Sequence, residues 1–388
     1  MMDCDVIIVG GGPAGISTWL HLHKYDPQLA SRTLVIEKEV FPRDKLCAGG
    51  LGAWSAAVLD HLEVELDISS LFISDIEYRF GKEIYHSHPK RFRIIQRMDF
   101  DHALVKTAMN RGLQLCEDET LIDISRDQNG LVVKTNRRKY CVQTLVGADG
   151  SLSLVRRKIV PPQKLRLAPT IQIFATVDPQ YDTEFDEKKI IMDFTPLNEG
   201  LQGYVWHFPG QRYGVPSIAH GIVDFRIYPD RPRADMKKIF SRELQSRNIN
   251  LEPKFWSSHP IHWFSDEGIV SQPNLLLVGD AAGIEPVFGG GIHIALSYGE
   301  VAAHAIIDAF QNNDFSYHDY KKRIQSHLVG KHIDEYVRLA LEMYSGRRNP
   351  FNVVSEFLTK RHQPSNLLSL LFLGASFDPN DPNDMKSD

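Results

Sequence analysis

Near the N-terminus the sequence reads Asp5-Val6-Ile7-Ile8-Val9-Gly10-Gly11-Gly12-Pro13-Ala14-Gly15. The run Val6–Val9 is apolar on both faces, as a strand buried inside a parallel sheet must be. Gly10, Gly12 and Gly15 then follow the spacing G-x-G-x-x-G. A helical apolar pattern continues from Ile16 to Leu22, and a second apolar strand, Thr33–Ile36, ends in Glu37. In such a turn the first glycine permits the sharp bend and the second lets backbone approach a pyrophosphate. The third lets helix and strand pack closely. The helix start, with Pro13 and Ala14 in its first turn, offers unpaired N–H donors and the positive end of the helix dipole. Glu37 is placed to accept hydrogen bonds from ribose hydroxyls. The spacing predicts a dinucleotide-binding unit and leaves NAD and FAD open.

Two further glycine–acid signatures follow. Leu145-Val146-Gly147-Ala148-Asp149-Gly150 leads into Ser151-Leu152-Ser153-Leu154-Val155-Arg156-Arg157. Leu275–Val278 is another apolar strand and ends in Gly279-Asp280. Beyond it, Pro286-Val287-Phe288-Gly289-Gly290-Gly291-Ile292 precedes a helical pattern from Ala295 to Phe310. An aspartate at the C-terminal end of a strand can hold a sugar or ribityl hydroxyl. The triple glycine predicts a second close approach of backbone to ligand.

In this order the motifs resemble the FAD-dependent family that includes p-hydroxybenzoate hydroxylase. The resemblance runs from about Asp3 to about Ala309. It implies an α/β fold: a Rossmann-like FAD-binding domain with an interleaved, β-rich substrate domain. It implies that Gly10, Gly12, Pro13, Ala14, Gly15, Glu37 and Lys38 hold the pyrophosphate and adenosine end. Asp149 and Gly150 support that region, Asp280 contacts the ribityl chain, and Gly290, Gly291 and Ile292 approach the flavin. Arg97, at a helix start in Ile94-Ile95-Gln96-Arg97, matches a family arginine that contacts FAD. A cation there opposes the helix dipole, so an anion is expected beside it.

Two stretches resemble the geranylgeranyl reductase branch: Phe41-Pro42-Arg43-Asp44-Lys45-Leu46-Cys47-Ala48-Gly49-Gly50, and Gly203-Tyr204-Val205-Trp206-His207-Phe208-Pro209. The first implies cofactor contacts from Arg43, Cys47, Ala48 and Gly49. The second places Tyr204, Trp206 and Phe208 on one strand face as an apolar wall for substrate, with Pro286 beside it. Cys47, Tyr204 and His207 are the candidates for placing a proton or the substrate. Gly210 stands where the branch often carries a basic residue. Flavin-dependent halogenases are a neighbouring branch that needs a positioned lysine, and Lys45 is the nearby one.

The 388 residues carry a formal net charge of −5 and no long basic block, so no nucleic-acid partner is expected. The 16 histidines include no H-x-x-x-H pair, and no cysteine pair has metal spacing, so no metal is expected. Cys4, Cys47, Cys116 and Cys141 are far apart and read as reduced thiols of a cytoplasmic protein. No signal peptide is expected at the N-terminus, and the apolar run Leu367–Phe377 is too short to span a bilayer.

The FAD-binding domain is read as residues 1–72, 95–165 and 266–330, and the substrate domain as 73–94 and 166–265. Predicted strands of the latter are Thr170–Val177, Lys189–Phe194, Gly203–Phe208 and Ile218–Phe225, with a helix over Ala234–Ser246. Asp127-Gln128-Asn129-Gly130 reads as a hairpin turn. Residues 331–376 read as helical, with Leu367–Leu373 packing or touching a membrane where a lipid enters; residues 377–388 read as a disordered tail. The expected activity is reduction of carbon–carbon double bonds in a prenyl or other lipophilic substrate by hydride from flavin N5. The alternative is hydroxylation of an aromatic or polyketide-like substrate through a flavin hydroperoxide. A halogenase and a flavoprotein without turnover are the remaining readings. No second nicotinamide-binding unit is visible, so NAD(P)H visits the flavin transiently or a ferredoxin-type donor supplies electrons.

Overall fold

A computed structural model describes residues 2–128, 130–161 and 165–361. The predicted segment Leu367–Leu373 and the tail 377–388 lie outside these residues. The central sheet has six strands, in the order Ser271–Gln272, Leu275–Leu277, Thr144–Gly147, Val6–Val9, Thr33–Ile36 and Gln114–Cys116. All are parallel except the first, an antiparallel edge. Val6–Val9 is fully enclosed because it pairs on both edges and is covered on both faces. The chain builds outward on one side of it and later on the other. The C-terminal ends of Val6–Val9 and Thr144–Gly147 therefore flank the crevice at which open α/β sheets bind ligands.

Helix Pro13–Tyr25 lies against helix Gly291–Asn312. Gly299 makes that approach possible, because an added Cβ would overlap Ser17. Ser17 Oγ donates to the Leu296 carbonyl at 2.6 Å. Leu121–Asp127 and Gly130–Thr135 form the expected hairpin, with Asp127 opposite Gly130.

The second six-stranded sheet joins Asp75–Phe80 and Glu83–Ser87 to Thr170–Thr176, Lys189–Asp193, Val205–Arg212 and Val215–Val223. The strand expected over Gly203–Phe208 starts later and runs further, to Arg212. It ends in a two-residue hairpin turn in which Tyr213 and Gly214 both have positive φ, 53° and 77°. That is the turn type matching strand twist. Tyr213 hid it, because the sequence signal is normally Asn or Asp at that position. The expected helix forms as Met236–Ser246, capped by Asp235, whose carboxylate accepts from Lys238 N–H at 3.0 Å. Helices Leu328–Met343 and Pro350–Arg361 pack on this sheet: Tyr336, Leu339, Met343, Val354 and Leu358 share a core with Tyr78, Met192, Phe194 and Tyr204. Among the described residues all four cysteines are free thiols, and no helix is long and apolar enough to cross a membrane.

Candidate FAD and substrate site

One cavity of about 830 Å³ runs from the glycine turn of the central sheet to the face of the second sheet. Its polar end is built as the spacing requires. Gly10 has φ 109°, and an added Cβ would overlap the Ala148 carbonyl. Gly15 does not line the cavity; its missing side chain lets the helix sit against the Gly10 carbonyl. Gly12 faces the cavity with only Arg43 Nη2 nearby, 3.6 Å from an added Cβ. Glu37 Oε2 accepts from Gly11 N–H at 2.9 Å, tying the acid at the end of the second strand to the turn. Lys38 lies on the same wall.

Arg97 makes two hydrogen bonds to Asp101, at 2.7 and 2.9 Å, and Arg43 reaches the same carboxylate at 3.1 Å. The anion expected beside Arg97 is thus Asp101, one helical turn on. The i,i+4 spacing of Arg and Asp could have disclosed it. Asp149 caps helix Leu154–Ile159 by accepting from Leu154 and Val155 N–H groups at 2.6 and 3.0 Å. Burial pushes its carboxyl up, and its other oxygen, Oδ1, has no partner. Arg43 Nε is likewise buried and unpaired. Burial also pushes the Asp280 carboxyl up, with Lys45 and Arg97 opposing. Lys45, which donates to His259 Nε2 at 2.5 Å, is pushed down to about 8 by burial.

The middle of the cavity is lined by Cys47, Ala48 and Gly49 on one side and by Gly290, Gly291 and Ile292 on the other. Cys47 Sγ accepts from Gly49 N–H at 3.4 Å and interacts with Arg97. Glu285 holds the glycine loop by accepting from the N–H groups of Val287, Phe288 and Gly290.

Beyond this lies an apolar recess walled by Trp54, Tyr78, Met192, Tyr204, Trp206 and Phe288. Phe208 sits nearer the middle of the cavity. Trp206 lies flat on the sheet because Gly221, opposite it, has no side chain to meet the ring. Trp206 Nε1 and Gln172 Nε2 are buried on the cavity wall without a partner. The Tyr204 hydroxyl donates to the Phe288 carbonyl, and burial holds it well above its usual range.

Three expectations need correction. Gly15, expected among the residues that hold the cofactor, instead packs the helix on the Gly10 carbonyl. His207 does not reach the cavity. Side chains alternate along a strand, so it faces away from Tyr204, toward helix Met236–Ser246. There it contacts His220 Nδ1 at 2.7 Å and Glu243 at 3.1 Å. Pro286 is buried but does not line the cavity; its neighbours Glu285 and Phe288 do. Sequence reasoning missed Trp54, His293, His332, Tyr336 and Leu358 on the wall. They come from helices whose apolar faces carry no sign of whether a cavity or a core lies opposite.

The polar end suits FAD. It offers backbone where a pyrophosphate would lie, acids for ribose and ribityl hydroxyls, and buried polar atoms without partners. A family model described as an FAD binding domain matches residues 3–297. The digeranylgeranylglycerophospholipid reductase of Thermoplasma acidophilum is 26% identical over 379 residues, with 87% of each chain covered. A geranylgeranyl bacteriochlorophyll reductase-like structure from the same organism superposes with a TM-score of 0.70 at 19% identity, covering 96% of this chain and 93% of that one. A structure described as a probable FAD-dependent monooxygenase from Pseudomonas aeruginosa gives a TM-score of 0.67 at 15% identity, covering 91% and 99%. The chain belongs to the FAD-binding-domain family, with the p-hydroxybenzoate hydroxylase-like fold, and is an FAD-dependent oxidoreductase.

Proposed function

We propose that this enzyme reduces carbon–carbon double bonds of a prenyl or similarly lipophilic substrate. The observation that carries the reading is the recess: a nucleotide cradle opens without interruption into a wall of aromatic and aliphatic side chains. Such a wall favours a long hydrocarbon over a small polar ring. Its acid and its histidine pair are occupied. Glu285 is held by backbone N–H groups, and His293 and His332 contact each other at 3.1 Å. The similarity to prenyl-lipid reductases supports the same reading.

When bound, FAD would supply the two-electron chemistry, a hydride for one alkene carbon to be matched by a proton at the other, and NAD(P)H or a ferredoxin-type donor would restore the electrons. The chain's own residues hold, orient and exclude water. Gly10, Gly12 and the start of helix Pro13–Tyr25 bind the pyrophosphate, and Glu37 and Asp280 take the sugar hydroxyls. Gly49, Gly290 and Gly291 let backbone close on the ring. Tyr204 is an anchor, because its proton is committed to Phe288 O. Cys47 remains on the cavity wall as the group to hold the proton. An isolated alkene accepts hydride poorly, so placement by Trp206 and Phe208 does much of the work.

The test is anaerobic. Reduced protein is mixed with prenyl lipids and with aromatic ligands, and the visible flavin absorption is followed. Return of the oxidised spectrum with a prenyl lipid is expected. No return with any prenyl compound, together with oxygen-dependent product from an aromatic one, would establish the monooxygenase reading instead.

A further inference from the structure

On the helical side of the molecule, away from the cavity, His21, His61 and Glu300 each bring a ligand atom within 4.8 Å of the other two. None of them lines the cavity. His21 sits eight residues beyond Pro13 on the helix that begins at the nucleotide turn, about 12 Å along its axis. His61 ends helix Ala53–His61, and Glu300 lies within helix Gly291–Asn312.

His21 is fully buried. Its Nδ1 lies 2.8 Å from the Ser17 carbonyl, which can only accept. The proton is therefore on Nδ1, and Nε2 presents a lone pair. That nitrogen has no hydrogen-bond partner. A backbone carbonyl fixing one nitrogen while the other stays bare is how metal-binding imidazoles are held.

The other groups are oriented as well. The Tyr25 hydroxyl contacts His61 Nε2 at 2.9 Å and donates to Glu300 Oε1 at 3.1 Å. His327 Nδ1 accepts from Val329 N–H, so its Nε2–H donates to Glu300 Oε2 at 3.2 Å. Each carboxylate oxygen keeps a second lone pair. His304, exposed, stacks on Tyr25 at 4.5 Å and marks the side open to solvent.

We propose that His21, His61 and Glu300 bind one divalent transition-metal ion of the zinc class and so clamp three helices together. Two imidazoles and a carboxylate suit zinc, with water as the fourth ligand. Ligand distances of about 2.0–2.2 Å require the three groups to close to roughly 3.3 Å from one another, a modest side-chain movement. His327 is a positioning residue that orients Glu300. Local spacing gave no hint of this site, because its ligands come from three helices far apart in sequence.

The test uses the full-length, FAD-loaded protein, stripped with a chelator and titrated with Zn²⁺ by calorimetry. One equivalent per chain is expected, with a rise in the unfolding temperature. Glu300→Gln, which is nearly isosteric, and His61→Gln should each weaken binding at least about ten-fold, and His327→Gln about 10–100-fold. The flavin spectrum reports that each variant is folded. His86→Gln is the control, because Asp75, Glu77 and His86 form a second acid–histidine group that could take up metal. It should leave the tight equivalent intact. No stoichiometric uptake, or uptake lost in His86→Gln and unchanged in Glu300→Gln, would overturn the proposal.

Discussion

Gly12→Ala separates the cofactor's needs from those of the fold. Gly12 has φ −78° and ψ −177°, a conformation open to any residue. An added Cβ would meet only Arg43 Nη2, at an ordinary 3.6 Å. The cost to the protein alone is that of alanine at a helix N-cap, about 0.5–1 kcal/mol, or a fall in unfolding temperature of only about 1 °C for a chain of 388 residues. A pyrophosphate would pay more dearly. A methyl group between backbone and phosphate displaces the anion by about 1 Å, enough to lose one charge-assisted hydrogen bond worth about 1.5–3 kcal/mol. FAD affinity should fall roughly 10–150-fold. The assay strips the flavin, titrates it back by fluorescence quenching and melts the apoprotein alongside. Wild-type affinity in Gly12→Ala would refute the placement of the pyrophosphate at this turn. A collapse of the apoprotein would refute the claim that this glycine serves the ligand rather than the fold.

Further outcomes follow from the same contacts. Arg97→Met leaves the buried Asp101 with Arg43 alone and should cost about 3 kcal/mol, read by denaturant unfolding. Tyr204→Phe removes the hydrogen bond to Phe288 O and should lower stability by about 1–3 kcal/mol while retaining turnover, since the hydroxyl is an anchor. Loss of turnover without loss of stability would return Tyr204 to the chemistry. Trp206→Ala should raise KM for a prenyl substrate about ten-fold or more, for an apolar wall worth about 1.5–3 kcal/mol. The buried Lys45 binds its proton less tightly folded than unfolded, so between about pH 8 and its ordinary range the unfolded chain carries more protons. Stability of the apoprotein should therefore rise with pH across that window, and Lys45→Met should flatten the rise in pH-dependent unfolding curves.

The central sheet was legible because buried parallel strands, glycine turns and terminal acids each leave a local signature. Val6–Val9, Thr144–Gly147 and Leu275–Leu277 lie side by side as the motifs required. The alternation of Tyr204, Trp206 and Phe208 also predicted a shared face, and the same rule, applied to His207, would have placed it on the other side. The Arg97–Asp101 pair was available from helical spacing. What the chain could not disclose locally depends on distant partners. Gly221 makes room for Trp206, and Tyr336 and Leu358 close the recess from helices more than a hundred residues later. The His21–His61–Glu300 group exists only once three helices have packed.

The most direct test of the proposed activity is the fate of the substrate. Protein, reductant and a prenyl lipid are incubated under isotopically labelled oxygen, and the product is weighed by mass spectrometry. Double-bond reduction predicts a product heavier by a pair of hydrogen atoms, formed equally well without oxygen. A product carrying one labelled oxygen atom, and none without oxygen, would contradict it.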